Sequence, residues 1–444
     1  MSITNRQRAT PPRQIRRHPA GVPTVADVVR AVTDGTPAVL VTAYDGSAVG
    51  PRDAGICLHV ASERGLSYLL TAPGDLGMAR AYVTGDLELH GVHPGDPYEV
   101  LRLLKDTLRL RLPAPADALA LVRGLGWERL RPPPPPPQEA VPMWRRAARG
   151  LRHSRYRDLT AIQHHYNVSN AFYERVLGPS MAYTCAVYRD PKDSLEQAQA
   201  AKYELVAAKL ALRPGSRLLD VGCGWGGMVR HAAREYGVRA LGVTLSRDQA
   251  EWAQAAIERE GLGDLAEVRH MDYRDVPVQH FDAVSSIGLT EHIGVRNYPR
   301  YFAALRDRLR PGGRLLNHCI TRADSRMPTK PGPFIERYVF PDGELASPGL
   351  ILTKAHDSGL EVQHEENLRV HYALTLAAWC RNLVENWDEC VAEVGPGTSR
   401  VWGLYMAGSR LAFERNQIQL HQILSTRTGD DGDANYPLRP DWAP

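Results

Sequence analysis

From about residue 200 onward, short runs of consecutive apolar residues alternate with longer stretches whose apolar positions return every three or four residues. Leu218-Leu219-Asp220-Val221, Ala240-Leu241-Gly242-Val243, Ala266-Glu267-Val268-Arg269-His270, Asp282-Ala283-Val284-Ser285-Ser286-Ile287 and Arg314-Leu315-Leu316-Asn317 have the length and content of strands. Between them, residues 228–236, 247–260 and 298–309 carry helical spacing. Strands alternating with helices predict an α/β fold, a doubly wound, mostly parallel Rossmann-like sheet with helices on both faces. Before residue 131 the pattern is mixed. Val39-Leu40-Val41 and Ile56-Cys57-Leu58-His59-Val60 read as strands, bounded by turns at Asp45-Gly46 and Glu63-Arg64-Gly65. Residues 96–112 read as an amphipathic helix, with Asp96 as cap and Pro97 at its first position. This part predicts a smaller α+β domain.

The six consecutive prolines Pro132 to Pro137 can form only polyproline II, a semi-rigid spacer of about 3 Å per residue. They suggest a division into a basic tail (1–22), an amino-terminal accessory domain (23–130), a Pro-rich and basic linker (131–158), a catalytic domain (159–427) and a carboxyl-terminal tail (428–444). A net charge of +4, from 54 basic and 50 acidic residues, does not argue for nucleic acid. Its distribution is uneven. Arg6, Arg8, Arg13, Arg16 and Arg17 crowd the tail, and Arg145, Arg146, Arg149, Arg152, Arg155 and Arg157 follow Trp144. The second cluster suits either anionic lipid headgroups or a solvated linker face. No apolar run reaches the roughly 18 residues needed to span a bilayer, and the amino terminus lacks the apolar core of a secretory signal. The expectation is a cytoplasmic protein in peripheral contact with the inner face of the membrane. The six cysteines lack metal-type spacing, and no metal site is expected.

The run Asp220-Val221-Gly222-Cys223-Gly224-Trp225-Gly226-Gly227 turns from a buried strand into a helix, where open α/β sheets bind ligands. By itself such a loop serves a dinucleotide, a nucleoside sulfonium or merely a tight turn. Two details favour S-adenosylmethionine (AdoMet). Asp220 precedes the first glycine, where a carboxylate meets a cationic amino group. The second strand ends in Thr244, where a dinucleotide site would place an acid. Asp272 and Tyr273 follow the third strand, placed to meet adenine, and Glu291 and His292 follow the fourth. Four strand ends around one crevice point to a class I methyltransferase.

From about His164 to Ser425 the chain resembles the cyclopropane-fatty-acid synthase family. The resemblance rests on His165-Tyr166-Asn167, Tyr183-Thr184-Cys185-Ala186, the glycine loop, Gly242-Val243-Thr244-Leu245-Ser246, Gly288 with Glu291-His292, and Arg337-Tyr338-Val339-Phe340-Pro341. Ile418-Gln419-Leu420-His421-Gln422 looks like the family's closing helix. The resemblance implies attack of a cis double bond on the AdoMet methyl group, leaving a carbocation on the acyl chain. It also implies a bicarbonate ion as base, held by Glu291, His318 and Tyr372 with backbone groups of Cys185 and Ile320. AdoMet contacts carried over are Tyr183, Thr184, Asp220, Gly222, Gly224, Thr244, Gln249 and Tyr273, with the Tyr273 ring where relatives often have tryptophan. Tyr166, Tyr183 and Tyr338 offer ring faces to the cation. Each role has a plainer counterpart: Cys185 as a buried thiol, His318 as a structural histidine, Tyr372 packed on Trp379.

Thr290 stands where many cyclopropane synthases have phenylalanine. If the base takes a proton from the added methyl directly, a cyclopropane forms; if a hydride shifts first, an exocyclic methylene results. The Asp75-Leu76-Gly77-Met78-Ala79-Arg80-Ala81-Tyr82 and Gly85-Asp86-Leu87-Glu88 motifs resemble the actinobacterial tuberculostearic-acid branch, which makes the methylene at carbon 10 of oleoyl phospholipid for a partner reductase. That product is the preferred reading and the ring is the alternative. Methylation of a small soluble acceptor and a scaffold that has lost chemistry stay as remoter readings. Unsaturated phospholipid acyl chains are the implied partner. Self-association is common in the family, but these residues leave oligomeric state open.

Overall fold

The computed structural model describes residues 22–109, 111, 113–140 and 168–442. The basic tail, the arginine cluster after Trp144 and the His165-Tyr166-Asn167 motif lie outside the described residues. The chain divides into two compact units, residues 1–93 with 102–135, and residues 94–101 with 136–444. The last boundary, between Pro135 and Pro136, falls inside the proline run.

In the first unit, strands β1 (Leu40–Ala43), β2 (Ala48–Val49), β3 (Cys57–Val60) and β4 (Leu87–His90) form a sheet in the order β2-β1-β3-β4. β1 runs parallel to β3, and β2 and β4 are antiparallel to their neighbours. Helices α1 (Val25–Val32), α2 (Glu63–Thr71) and α3 (Asp75–Thr84) belong to the same unit. Thr24 and Asp27 close a capping box on α1, which satisfies amide groups left over at a helix start. The buried Asp86 carboxylate accepts from Ser62 Oγ (2.6 Å), Thr84 Oγ1 (2.6 Å) and Arg64 Nε (2.7 Å), tying the start of α2 to the end of α3. α4 (Tyr98–Thr107) is shorter than the sequence pattern predicts, and Asp96 Oδ1 accepts from Tyr98 N at 3.4 Å. α5 (Pro115–Leu125) follows.

The second unit is built on seven strands: β5 (Arg217–Val221), β6 (Arg239–Thr244), β7 (Ala266–His270), β8 (Phe281–Ile287), β9 (Leu309–Arg322), β10 (Glu361–Asn367) and β11 (Ile418–Thr426). Their order is β10-β11-β9-β8-β5-β6-β7. β5 to β9 are parallel, and the last two strands are antiparallel. This is the doubly wound sheet of class I methyltransferases. Side chains alternate across it, as the two-residue period of a strand requires. Leu218, Ala240, Val268, Ala283, Leu316 and Leu424 build one core, while Leu219, Val221, Val243, Val284, Leu315 and Ile423 build the other. Among the covering helices are α6 (Asn170–Leu177), α7 (Leu195–Lys209), α8 (Gly227–Tyr236), α9 (Arg247–Arg259), α10 (Thr290–Ile293), α11 (Tyr298–Arg308), α12 (Pro333–Tyr338), α13 (Pro348–Asp357), α14 (Arg369–Glu385) and α15 (Trp387–Glu414).

Two expectations are corrected. Ile418-Gln419-Leu420-His421-Gln422 does not form a closing helix but opens β11, which pairs with β9 from Ile418↔Arg322 to Thr426↔Arg314. Both long neighbours need a hydrogen-bonding partner at this place, and a strand supplies it. Residues 428–442 are not merely a tail, because Tyr436 and Trp442 pack against the core and Asn435 O accepts from the Arg314 guanidinium at 3.2 Å. Among the described residues no helix is long and apolar enough to cross a membrane.

Candidate active site

The glycine turn follows the carboxyl end of β5. Gly222, Gly224 and Gly226 all have positive φ (71°, 54° and 70°), which glycine adopts without steric cost. Gly222 N and Cys223 N both donate to Val243 O (2.9 and 3.0 Å), pinning the turn to β6. A β-carbon on Gly222 would lie 3.1 Å from Leu289, whereas one on Gly224 would meet nothing within 4 Å. The turn is therefore packed behind and open in front. Asp220, at its root, is buried, and its Oδ1 accepts from Ser285 Oγ at 2.6 Å. Burial pushes its carboxyl up to about 7, opposed by Ser285 and by the nearby Lys202 charge. A cationic amino group arriving here restores the ionised form.

The other strand ends on this side also carry groups already bonded to one another. Thr244 Oγ1 donates to Gln249 Oε1 (2.9 Å) and accepts from Ser246 N (3.2 Å). Asp272 receives Arg274 through Nε at 2.8 Å and a terminal nitrogen at 2.5 Å. The Tyr273 ring stands edge-on to Tyr301 at 5.5 Å, and the Arg274 guanidinium is 5.6 Å from the Tyr273 centroid. The open turn and the carboxylate at its root fit AdoMet. Asp272, expected to receive adenine, already holds an arginine with both oxygens.

Tyr183, Thr184 and Cys185 are held from behind by two fully buried polar residues one helical turn apart on α7. Gln199 Nε2 donates to Thr184 O at 3.0 Å, and Lys202 Nζ donates to Thr184 Oγ1 at 2.9 Å. Desolvation pulls the Lys202 amine down to about 7, against the opposing pull of Cys185, Asp220 and Glu196. Around Tyr183 lies an aromatic wall that sequence reading did not assemble. Trp379 (5.4 Å), Trp402 (5.6 Å) and Tyr173 (5.9 Å) contact its ring, Trp402 continues to Tyr405 (5.7 Å), and Tyr405 to Phe340 (5.8 Å). Tyr183 Oη donates to Tyr405 Oη at 3.1 Å. Tyr338 is buried against Phe334 and its hydroxyl donates to Glu139 at 3.4 Å.

Glu291, just past β8, is half-buried and acts electrostatically on Tyr405 of the aromatic wall, while His318 is fully buried on β9. Glu291 Oε1 accepts from Ile320 N at 2.7 Å, so the amide of Ile320 engages Glu291 itself. Burial raises the Glu291 carboxyl to about 7. Glu291 Oε2 has no hydrogen-bond partner among the described residues, nor does His318 Nε2. Two buried polar atoms in this condition cost on the order of 1–3 kcal/mol each, a cost that a bound water or polar ligand offsets. His318 is held neutral by burial and by the charges of Lys202 and Lys209. Tyr372 is buried between Phe413 (4.6 Å) and Trp379 (6.1 Å). Cys185 Sγ donates to Ala186 O at 3.1 Å, and burial raises its thiol well above the ordinary range, favouring the protonated form. Thr290 is also buried, and its hydroxyl is committed to Asn317 Oδ1 at 2.6 Å.

Residues 153–423 match the family model described as mycolic acid cyclopropane synthetase. The chain belongs to this family. It is an AdoMet-dependent methyltransferase of the cyclopropane fatty acid synthase kind. It is 60% identical over 403 residues to the probable fatty acid methyltransferase Rv3720 of Mycobacterium tuberculosis, covering 91% of this chain and 94% of that protein. It is 35% identical over 268 residues to the cyclopropane-fatty-acyl-phospholipid synthase of Escherichia coli, covering 60% and 68%. Among solved structures, the cyclopropane synthase MmaA2 from Mycobacterium tuberculosis superposes with a TM-score of 0.57 at 30% identity, covering 61% of this chain and 98% of that one. A mycolic acid cyclopropane synthase, CmaA1, solved with S-adenosylhomocysteine, gives 0.57 at 29% identity, covering 60% and 97%.

Proposed function

We propose that this methyltransferase modifies the cis double bond of an unsaturated phospholipid acyl chain, oleoyl by preference, to give a 10-methylene branch for a partner reductase to saturate. The observation that carries the substrate class is the 60% identity to the probable fatty acid methyltransferase Rv3720 across 91% of the chain, which takes in the first unit as well as the catalytic one. AdoMet supplies an electrophilic methyl group when bound. Asp220 binds the cationic end of the donor, the turn at Gly222 and Gly224 admits it closely, Thr184 is fixed beside it by Lys202, and Thr244 with Gln249 meets the ribose. The aromatic wall around Tyr183 excludes water and offers ring faces to a cation on the chain.

Glu291, His318 and Tyr372 would hold a bicarbonate ion, which supplies the base when bound. The two buried atoms without partners support this fit. With its carboxyl near 7, Glu291 is substantially protonated at neutral pH, so Oε2 can donate to an anion and two adjacent negative charges are avoided. Ile320 contributes by holding Oε1, and Cys185 by its backbone.

The test is incubation of the purified protein with oleoyl phospholipid vesicles and methyl-labelled AdoMet, followed by proton NMR of the released fatty acids. Vinylic methylene protons are expected. Upfield ring protons would replace the product by a cyclopropane, and label absent from lipid would overturn the substrate class.

A further inference from the structure

A buried polar chain that the reaction as described does not use leads away from His318. His318 on β9 is paired with Gln422 on β11, so both side chains leave the same face of the sheet. Gln422 Nε2 lies 3.2 Å from His318 Nδ1. Gln422 Oε1 lies 2.7 Å from Lys209 Nζ, which also donates to Glu366 Oε2 at 2.5 Å. Lys209, Gln422 and His318 are all at most 1% exposed, while Glu366 reaches the surface.

The chemistry of these groups fixes every proton along the chain. Burial lowers the Lys209 amine from its ordinary value, opposed by the Glu366 carboxylate at 2.5 Å and the Trp442 ring 5.3 Å from Nζ, which favour the charged form; an ammonium group has donors only. The amide atom facing Lys209 must therefore be the oxygen. A flipped amide would set its NH2 donors against the ammonium donors. The NH2 group of Gln422 then faces His318, so Nδ1 must accept. A neutral imidazole with Nδ1 as acceptor carries its proton on Nε2, the atom that is buried without a partner.

We propose that Lys209 and Gln422 are positioning residues that lock His318 in its Nε2–H tautomer, presenting a hydrogen-bond donor to an anion bound beside Glu291. The proposal rests on the anion-site reading for the purpose of the donor, but not for the existence of the lock. Burial and the neighbouring lysine charges, which keep His318 neutral, are what make a choice of tautomer necessary. Without the lock the two neutral tautomers compete. One of them would turn a lone pair towards the anion.

The test is a long-range proton–nitrogen NMR correlation on the full chain labelled with 15N-histidine, the His318 signals being identified by their loss in His318→Asn. The wild-type protein is expected to show the Nε2–H pattern, and an Nδ1–H pattern overturns the proposal without any further variant. Gln422→Glu keeps the shape and the pairing with Lys209 but places an acceptor against Nδ1. It should move the proton to Nδ1 and lower turnover by about tenfold or more, with AdoMet affinity unchanged. An unshifted tautomer and unimpaired turnover in Gln422→Glu also overturn the proposal. A tautomer that responds as expected, in an enzyme whose turnover ignores bicarbonate, would retain the lock and reject only the anion reading.

Discussion

The two halves of the site are prepared in opposite ways. On the side proposed for the donor, Asp220 is bonded to Ser285, Thr244 to Gln249 and Asp272 to Arg274, so these three side chains are partnered and held in place. On the Glu291 side, Oε2 of the acid and Nε2 of the histidine are buried with no partner among the described residues, although each side chain is gripped by its other polar atom. The donor side can lose one contact and keep its shape. The Glu291 side has polar atoms whose cost is offset only when something binds. Affinity for AdoMet and competence for the proton-removal step should therefore be separable by mutation.

The sharpest separation is expected from Glu291→Ala. Turnover should fall by roughly 10²-fold or more, the range of a lost acid–base group, while AdoMet affinity measured by calorimetry stays near wild type. A parallel loss of affinity would merge the two halves. Asp220→Ala should act the other way, weakening AdoMet binding by about 10- to 100-fold, equivalent to about 1.4–2.7 kcal/mol. Turnover at saturating donor should suffer less.

The pH dependence sharpens the same contrast. Glu291 donates only while protonated, and burial places its carboxyl near 7. Turnover at fixed bicarbonate concentration should hold below that pH and decline as pH rises through it. Glu291→Gln, which keeps an amide donor, should flatten the decline. The smallest effect concerns Lys202. Its amine is near 7 in the folded chain and higher when unfolded, so between these values only the unfolded state holds the proton and stability attributable to it rises with pH. The slope is at most about 1.4 kcal/mol per pH unit. Melting temperatures of wild type and Lys202→Met from pH 7 to 9 should diverge in favour of wild type, and constant separation would contradict the burial argument.

Much of the catalytic unit was legible because a buried strand needs an uninterrupted apolar run. Leu218-Leu219, Ala283-Val284 and Leu315-Leu316 announce strands whose residues feed two cores. The residues flanking their carboxyl ends gave Asp220, Thr244, Tyr273 and Glu291. β11 was misread because Ile418 to Gln422 was judged by resemblance to a family tail, whereas its structure is decided by the long strand it must pair with. Gln199, Lys202 and Lys209 were missed for a different reason. A polar residue on a helix normally faces water, and the partners that hold these lie far along the chain. Lys209 meets Glu366 157 residues away and Gln422 213 residues away. One local signal was available, since Gln199, Lys202 and Lys209 fall on the same helical stripe as Ala198 and Val206. The aromatic wall is equally non-local, joining Tyr183 to Trp379, Trp402 and Tyr405 across the chain.

The central claim, that Glu291 and His318 await an anion that completes the reaction, is tested most directly by turnover on oleoyl phospholipid vesicles after bicarbonate and dissolved carbon dioxide have been removed and then restored. The account predicts that methyl transfer to lipid drops on removal and recovers on restoration, with AdoMet binding unchanged throughout. A rate indifferent to bicarbonate would contradict it.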